Sequence, residues 1–125
     1  MLYFLENDVL KIAVDTHGAE LSSIFNKAEN KEMLWLGDPK FWGRKSPVLF
    51  PLVGKYKGGK TTYNGEEYAL GQHGFARDSE FTLIEETKTR LVFQLMSNAE
   101  TLTKYPFQFQ LICSFELKNN KIVVG

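Results

Sequence analysis

Residues 107–117 alternate between apolar and polar side chains with a period of two, which is the period of a β-strand. Asn64-Gly65 lies between the strand-like segments 61–63 and 67–70, and an Asn-Gly pair supplies the positive φ angles of a tight hairpin turn. Further short apolar or alternating runs, separated by turn sequences, occupy residues 9–14, 18–25, 33–36, 81–84, 91–95 and 122–124. The pattern predicts an all-β protein of the sandwich type.

Helical signals are few. Residues 98–103 predict one or two helical turns, which Tyr105-Pro106 would end, and residues 39–43 predict another turn. Val48–Val53 is an apolar run that follows Pro47 and contains Pro51. We expect this run to form the edge of a buried strand.

The 125 residues suffice for one domain with its own core, and no linker or internal repeat divides the chain. Fifteen basic and fifteen acidic residues cancel, which argues against nucleic acid or an anionic membrane as a partner. No apolar run reaches the ~20 residues of a membrane-spanning helix, and acidic residues follow the N-terminus too early for a secretory signal. A cytoplasmic location is therefore expected. The single cysteine, Cys113, lies in an apolar strand and is predicted to be a buried, unreactive thiol.

The hexapeptide 72–77, Gln-His-Gly-Phe-Ala-Arg, combines groups that suit a polar binding site. His73 can donate or accept a proton near neutral pH, and the flanking glycines let backbone approach a ligand. Arg77 offers a planar fork of donors for hydroxyls, a carboxylate or a phosphate, or it pairs with a nearby acid such as Asp78 or Glu80. Gln72 could hold a hydroxyl or simply be solvated. Phe75 is assigned to the core.

A second candidate segment is Phe41-Trp42-Gly43-Arg44-Lys45, where two aromatic residues stand beside two cations. Such a pair of groups binds the apolar face and hydroxyl rim of a sugar, and it also occurs as an ordinary surface cluster. Arg44 is the candidate sugar-binding residue of this segment. Lys55 is a second candidate, in a basic loop at the rim of the site. His17, before a glycine at a turn, is interpreted as structural or exposed. Two histidines and one cysteine without ligand spacing predict no metal site.

These motifs together resemble the aldose 1-epimerase (galactose mutarotase) family, in particular its LacX-like and hexose-6-phosphate-epimerase-like branches. The resemblance rests on segments that occur in the family's order along nearly the whole chain: 18–24, 34–35, 41–42, 46–54, 63–68, 72–77 and 105–107. The Pro-bracketed run followed by His-Gly-Phe-Ala-Arg is its most specific part. The resemblance implies a β-sandwich (supersandwich) that binds a hexose in a cleft and needs no cofactor.

The resemblance also implies roles for individual residues. In this family one His protonates the ring oxygen, a Glu deprotonates the anomeric hydroxyl, and the opened ring rotates and recloses. His73 matches the earlier of two family histidines, which binds and polarises the sugar near its ring oxygen. Arg77 matches the motif's Arg, suited to gripping sugar or sugar phosphate. Lys55 stands where many relatives carry Arg, and this departure weakens a bidentate contact there.

A larger departure is length, because family members are roughly twice as long or more. The second His and the catalytic Glu of the family have no counterpart in this sequence. We therefore expect residues 1–125 to be the N-terminal part of a single mutarotase-like domain, inactive alone, with half of the sugar cleft. Strand edges left open in this way would favour self-association.

Three functions remain open from the sequence. The first is an epimerase of a free hexose, and the second is an epimerase of a hexose 6-phosphate gripped by Arg44, Lys55 and Arg77. The third is a non-catalytic carbohydrate-binding module. The balanced charge does not separate the first two.

Overall fold

The computed structural model describes all residues from Met1 to Gly125, and β-strands dominate it. One four-stranded antiparallel sheet contains, in spatial order, β1 (Leu2–Glu6), β2 (Leu10–Asp15), β3 (Glu20–Asn26) and β4 (Lys31–Glu32). A separate hairpin consists of β5 (Lys60–Tyr63) and β6 (Glu66–Ala69). The second four-stranded sheet contains β7 (Thr82–Glu86), β8 (Arg90–Met96), β9 (Gln110–Lys118) and β10 (Lys121–Val124) in the spatial order β10-β9-β8-β7.

The two larger sheets pack face to face and share one hydrophobic core. Phe93 of β8 is completely buried, and its ring meets Tyr3 of β1 at 6.0 Å and Phe115 of β9 at 6.0 Å between centroids. Ile12 and Val14 of β2 are also fully buried in this cluster. Alternation along β9 buries every second side chain from Cys113 to Leu117, so the period-two pattern of the sequence marks the core face. The predicted all-β sandwich is therefore confirmed.

The hairpin and the helix were predicted at the right places. Asn64 and Gly65 adopt φ angles of 50° and 78°, the left-handed pair that connects β5 and β6. The α-helix α1 spans Ala99–Lys104. Asn98 caps it, because its side chain accepts from the Thr101 N–H while the Thr101 hydroxyl accepts from the Asn98 N–H. With six residues, α1 is far shorter than a membrane-spanning helix, and none of the helices qualifies as one.

Three details of the sequence interpretation were wrong. Val48–Val53 is not a buried strand edge: only Phe50 makes an isolated bridge, to Gly74, and Val53 is 73% exposed. Pro47 and Pro51 lack the N–H groups that a strand ladder needs. A strand was missed at Leu2–Glu6, ahead of the turn at Asn7-Asp8. The last long strand begins at Gln110, since residues 107–109 lie outside it.

Cys113 and Phe75 lie where the sequence placed them. Cys113 is buried in β9, and burial raises the pKa of its thiol, so the protonated and less reactive form is favoured. Phe75 packs against the core, with its ring 6.3 Å from Phe50 and 5.8 Å from Phe109. The turn predicted at residues 39–43 is present, since the Asp38 carbonyl accepts from the N–H groups of Phe41 and Trp42.

The Glu32 carboxylate holds the edge of the first sheet together. It accepts from the Ser23 hydroxyl at 2.5 Å and from the backbone N–H groups of Ile24 and Leu34 at 2.7 and 3.0 Å. Burial acts to raise the pKa of Glu32, but the hydrogen bonds outweigh it and hold the pKa below the ordinary value of 4.5. The ionised form therefore stabilises the fold above that value, and this contribution is lost as pH falls through the lowered pKa.

Glu32→Gln is expected to lower the free energy of unfolding at neutral pH by about 1–2 kcal/mol, because a neutral amide is a weaker acceptor and one oxygen is lost. Urea denaturation at neutral pH and near pH 3 measures this, and the difference between wild type and variant should shrink in acid. Glu29→Gln is the matched control, because Glu29 is exposed in the turn just before β4 and its carboxylate makes no hydrogen bond. Equal losses of unfolding free energy in the two variants would contradict the stabilising role assigned to the Glu32 hydrogen bonds.

Candidate functional site

A cavity of about 360 Å³ lies between two loops at the edge of the sandwich. Its first wall comes from the loop that follows β4 and carries Trp42, Pro47 and Leu49. Its second wall is formed by Gln72, His73 and Arg77. One wall is therefore apolar and the other offers an amide, an imidazole and a guanidinium. Three residues predicted from the hexapeptide, Gln72, His73 and Arg77, are brought together here.

His73 is held in place by two reciprocal hydrogen bonds to one glycine. The His73 N–H donates to the Gly54 carbonyl at 2.7 Å, and the Gly54 N–H donates to His73 Nδ1 at 2.9 Å. Because Nδ1 accepts, the neutral ring carries its proton on Nε2. The backbone of His73 has a φ of 63°, so this residue sits in the left-handed region. The imidazole is thus fixed, and its Nε2 lies 3.4 Å from the side-chain amide nitrogen of Gln72, the neighbouring polar group of this wall.

The neighbouring Gly74 allows the two walls to meet. Phe75 N–H and Ala76 N–H both donate to the Phe50 carbonyl, at 3.0 and 3.1 Å. Gly74 has a φ of 72°, and a Cβ built there would overlap the Phe50 carbonyl group. Beneath the loop, the rings of Phe50 and Phe109 pack 5.0 Å apart. Close backbone contact and an aromatic base therefore fix the second wall.

Arg77 and Arg44 share one carboxylate. Arg44 Nη2 donates to Asp78 Oδ1 at 2.6 Å, and Arg77 Nε lies 3.8 Å from Asp78 Oδ2. Arg77 Nη2 donates to the Gln72 carbonyl at 2.9 Å, but its Nε is buried without a hydrogen bond. Arg77 lines the cavity, whereas Arg44 ties the first loop to the second from outside it.

The remaining predicted residues lie elsewhere. Lys55 is exposed, directly after Gly54, and does not line the cavity. His17 is exposed and lies 3.5 Å from the Glu80 carboxylate, in agreement with the structural interpretation. No group of three or more His, Cys, Asp and Glu side chains is arranged to hold a metal ion.

A larger depression of about 880 Å³ lies between the β5–β6 hairpin and α1. Glu80, Glu100 and Lys104 contribute to its lining, but no histidine does. We place the site in the smaller cavity, because its histidine is held by two hydrogen bonds, one to the backbone and one to the ring, and stands opposite an apolar wall.

Sequence reasoning missed the apolar wall. From the sequence, Trp42 is an aromatic neighbour of Arg44, but the predicted site residues include neither it nor Pro47 and Leu49. The available signal is a tryptophan two residues before an arginine, in a loop that contains proline. Pro47 and Leu49 gave no such signal, because they become part of the site only when their loop packs against residues 72–77.

Comparisons with known proteins agree over nearly the whole chain. The family model described as aldose 1-epimerase matches residues 1–124. The plasmid-encoded protein LacX of Lactococcus lactis subsp. lactis is 34% identical in an alignment 123 residues long, which covers 94% of this chain and 41% of LacX. The chain therefore spans about 41% of the length of this curated relative.

Two solved structures match the fold closely. The galactose mutarotase related enzyme from Lactobacillus acidophilus superposes with a TM-score of 0.96 and 42% identity, over 98% of this chain and 41% of that one. A galactose mutarotase-like protein from Lactobacillus casei ATCC 334 gives a TM-score of 0.95 and 37% identity, over 99% and 42%. The sandwich is thus a galactose mutarotase-like fold, as the sequence predicted. With the family model covering residues 1–124, the chain belongs to the aldose 1-epimerase family.

Proposed function

We propose that the cavity between Trp42 and His73 binds a hexose, and that it is one part of the sugar cleft of an epimerase of the aldose 1-epimerase type. The observation that carries this proposal is the opposition of an apolar wall to a wall of hydrogen-bond donors. A pyranose ring has the same division, with C–H groups on its faces and hydroxyls on its rim. Membership of the family supports the same ligand class.

His73 has the geometry to bind the sugar at an oxygen. Its Nδ1 accepts from the Gly54 N–H, so we propose that Nε2–H donates to a ring or hydroxyl oxygen of the sugar in place of its 3.4 Å contact with the Gln72 amide nitrogen. Donation to the ring oxygen would weaken the bond between that oxygen and the anomeric carbon. Arg77 and Gln72 lie on the same wall and can hold neighbouring hydroxyls. His73 is therefore proposed to position and polarise the sugar.

Anomer exchange also needs a base for the anomeric hydroxyl, and no carboxylate lines this cavity. The family resemblance places that base, and a second His, on residues without counterparts here. We therefore propose that the 125-residue chain binds hexose without accelerating anomer exchange. This favours the carbohydrate-binding alternative for the chain taken alone.

A phosphorylated hexose is the second candidate substrate, and the arrangement of cations disfavours it. Arg44 is bonded to Asp78 rather than open to the cavity, and Lys55 does not line it. Arg77 is the one cation on the cavity wall, and Asp78 also neutralises part of its charge. A dianionic phosphate would therefore meet little net positive charge. We propose an unphosphorylated hexose.

Exchange NMR on equilibrated glucose, galactose and glucose 6-phosphate tests these proposals. We expect line broadening or saturation transfer that reports binding of the free hexoses, with an α-to-β exchange rate equal to that in buffer. Accelerated exchange would contradict the inactivity of the chain alone. Binding of glucose 6-phosphate in preference to glucose would contradict the unphosphorylated substrate, and no binding of any sugar would overturn the proposed function.

A further inference from the structure

The carboxylate of Asp78 connects the two loops that wall the cavity. Asp78 Oδ1 accepts from Arg44 Nη2 at 2.6 Å, and Asp78 Oδ2 lies 3.8 Å from Arg77 Nε. Arg44 belongs to the loop after β4, whereas Arg77 and Asp78 belong to the 3₁₀ turn Ala76–Asp78. Arg44 Nη1 also donates to the Arg77 carbonyl at 3.4 Å. One carboxylate therefore stands between two guanidinium groups that come from different loops.

Asp78 lies outside the cavity, so it acts on a ligand there through the arginines. The cavity lining contains Arg77 but no carboxylate, and Asp78 borders the larger depression instead. The Arg77 side chain is only 20% exposed, and its buried Nε makes no hydrogen bond. Because solvent screens a partly buried charge weakly, the Asp78 carboxylate has a direct influence on the charge that Arg77 presents to the cavity.

The balance of charge beside the cavity decides how it receives an anion. Arg44, Arg77 and Asp78 together carry a net charge of +1, and the guanidinium of Arg44 is bonded to the carboxylate. A carboxylate repels a phosphate, and such a repulsion discriminates between ligands because it acts on the charged one alone. A neutral hexose keeps its hydrogen bonds to Arg77 and loses nothing.

We propose that Asp78 is a specificity-determining residue, which keeps the cavity selective for a neutral hexose over a hexose phosphate. It neutralises part of the positive charge of Arg77, and it holds Arg44 outside the cavity. This inference rests on the proposed function of the cavity. It goes further, because it assigns the choice between two substrate classes to one side chain that does not line the site.

Asp78→Asn removes the charge of the side chain and keeps its size. We expect this variant to bind glucose 6-phosphate about tenfold more tightly than the wild type does, because a like charge near the phosphate is removed. Its dissociation constant for glucose should stay within about threefold of the wild-type value. Tryptophan fluorescence measures both constants, since Trp42 lines the cavity. The Asp78 side chain is 53% exposed, so the variant should fold, and circular dichroism checks this.

Asp78→Glu is the conservative variant, and it should retain the wild-type preference because the negative charge stays near both arginines. Glu80→Gln is the matched control, since Glu80 lies two residues further along the chain, is also exposed and undergoes the same change of charge. Its carboxylate pairs with His17 and with the Thr16 hydroxyl rather than with an arginine. This control should leave the ratio of the two dissociation constants unchanged.

Arg44→Gln shifts the charge balance in the opposite direction. It leaves the Asp78 carboxylate to Arg77 alone, so the net charge of the group falls from +1 to zero. We expect the ratio of dissociation constants to move further toward glucose, by about threefold or more. This variant tests the inference independently of whether Asp78→Asn folds, and a ratio that moves toward glucose 6-phosphate would overturn it.

The ratio of the two affinities separates this inference from the proposed function. Three results would overturn the role of Asp78 while hexose binding persists: a folded Asp78→Asn variant with the wild-type ratio, an equal weakening of both ligands in that variant, or an equal shift of the ratio in Glu80→Gln. A wild-type protein that prefers glucose 6-phosphate would overturn the neutral substrate together with the role of Asp78. Failure of the wild type to bind any sugar would overturn the proposed function itself.

Discussion

Gly74→Ala is expected to destabilise the protein by about 3 kcal/mol or more and to abolish hexose binding. The new Cβ would lie 2.5 Å from the Phe50 carbonyl carbon and would overlap its oxygen. It would also force alanine to a φ of 72°, in the left-handed region. Strain of that kind costs about 1–2 kcal/mol and overpacking costs about 1–3 kcal/mol more. Urea denaturation, followed by circular dichroism, measures the loss.

Gly65→Ala is the control for backbone strain without a clash. Gly65 has a φ of 78°, but a Cβ there would meet nothing within 4 Å. We expect this variant to lose only about 1 kcal/mol and to keep its hexose affinity. If both variants lost the same stability, the close approach of Gly74 to Phe50 would not be what holds the second wall.

His73→Asn is expected to weaken hexose binding by at least about tenfold, the equivalent of one lost hydrogen bond to a buried ligand. Asparagine tolerates the left-handed φ of 63° found at His73, so the backbone conformation should not change. The shorter side chain removes the Nε2–H donor from the cavity. Tryptophan fluorescence titration with galactose or glucose measures the change, since Trp42 lines the same cavity.

His17→Asn is the matched control, because His17 is the other histidine and its partner is the exposed Glu80. This substitution should leave the hexose affinity unchanged, and both variants should give the circular dichroism spectrum of the wild type. A folded His73→Asn variant with unchanged affinity would remove His73 from the site.

Strands and turns were predictable because their signals are local. Alternation in β9 reflects one buried face, and Asn64-Gly65 reflects the φ angles of its own turn. The capped helix α1 followed from its own residues and from the proline after Tyr105. The prediction failed at Val48–Val53. The apolar pattern of this run favours a strand, but the prolines have no N–H groups to donate to a neighbouring strand.

The site was half predictable for a similar reason. Gln72, His73 and Arg77 stand within six residues, so their proximity in space needed no long-range contact. Arg44 and Asp78 are 34 residues apart, and nothing local shows that their ion pair keeps Arg44 out of the cavity. The apolar wall was missed because Pro47 and Leu49 acquire their position only when their loop packs on residues 72–77.

The sequence by itself determined the all-β class, the family resemblance and the polar half of the site. Each of these depends on the period of apolar side chains or on residues adjacent in the chain. Such features can be recognised without knowledge of the fold. Only the tertiary structure decided which cations face the cavity, which nitrogen of His73 accepts a hydrogen bond from Gly54, and that Trp42 lines the cavity together with His73. These outcomes depend on contacts between distant segments, whose geometry is set by packing around the shared core.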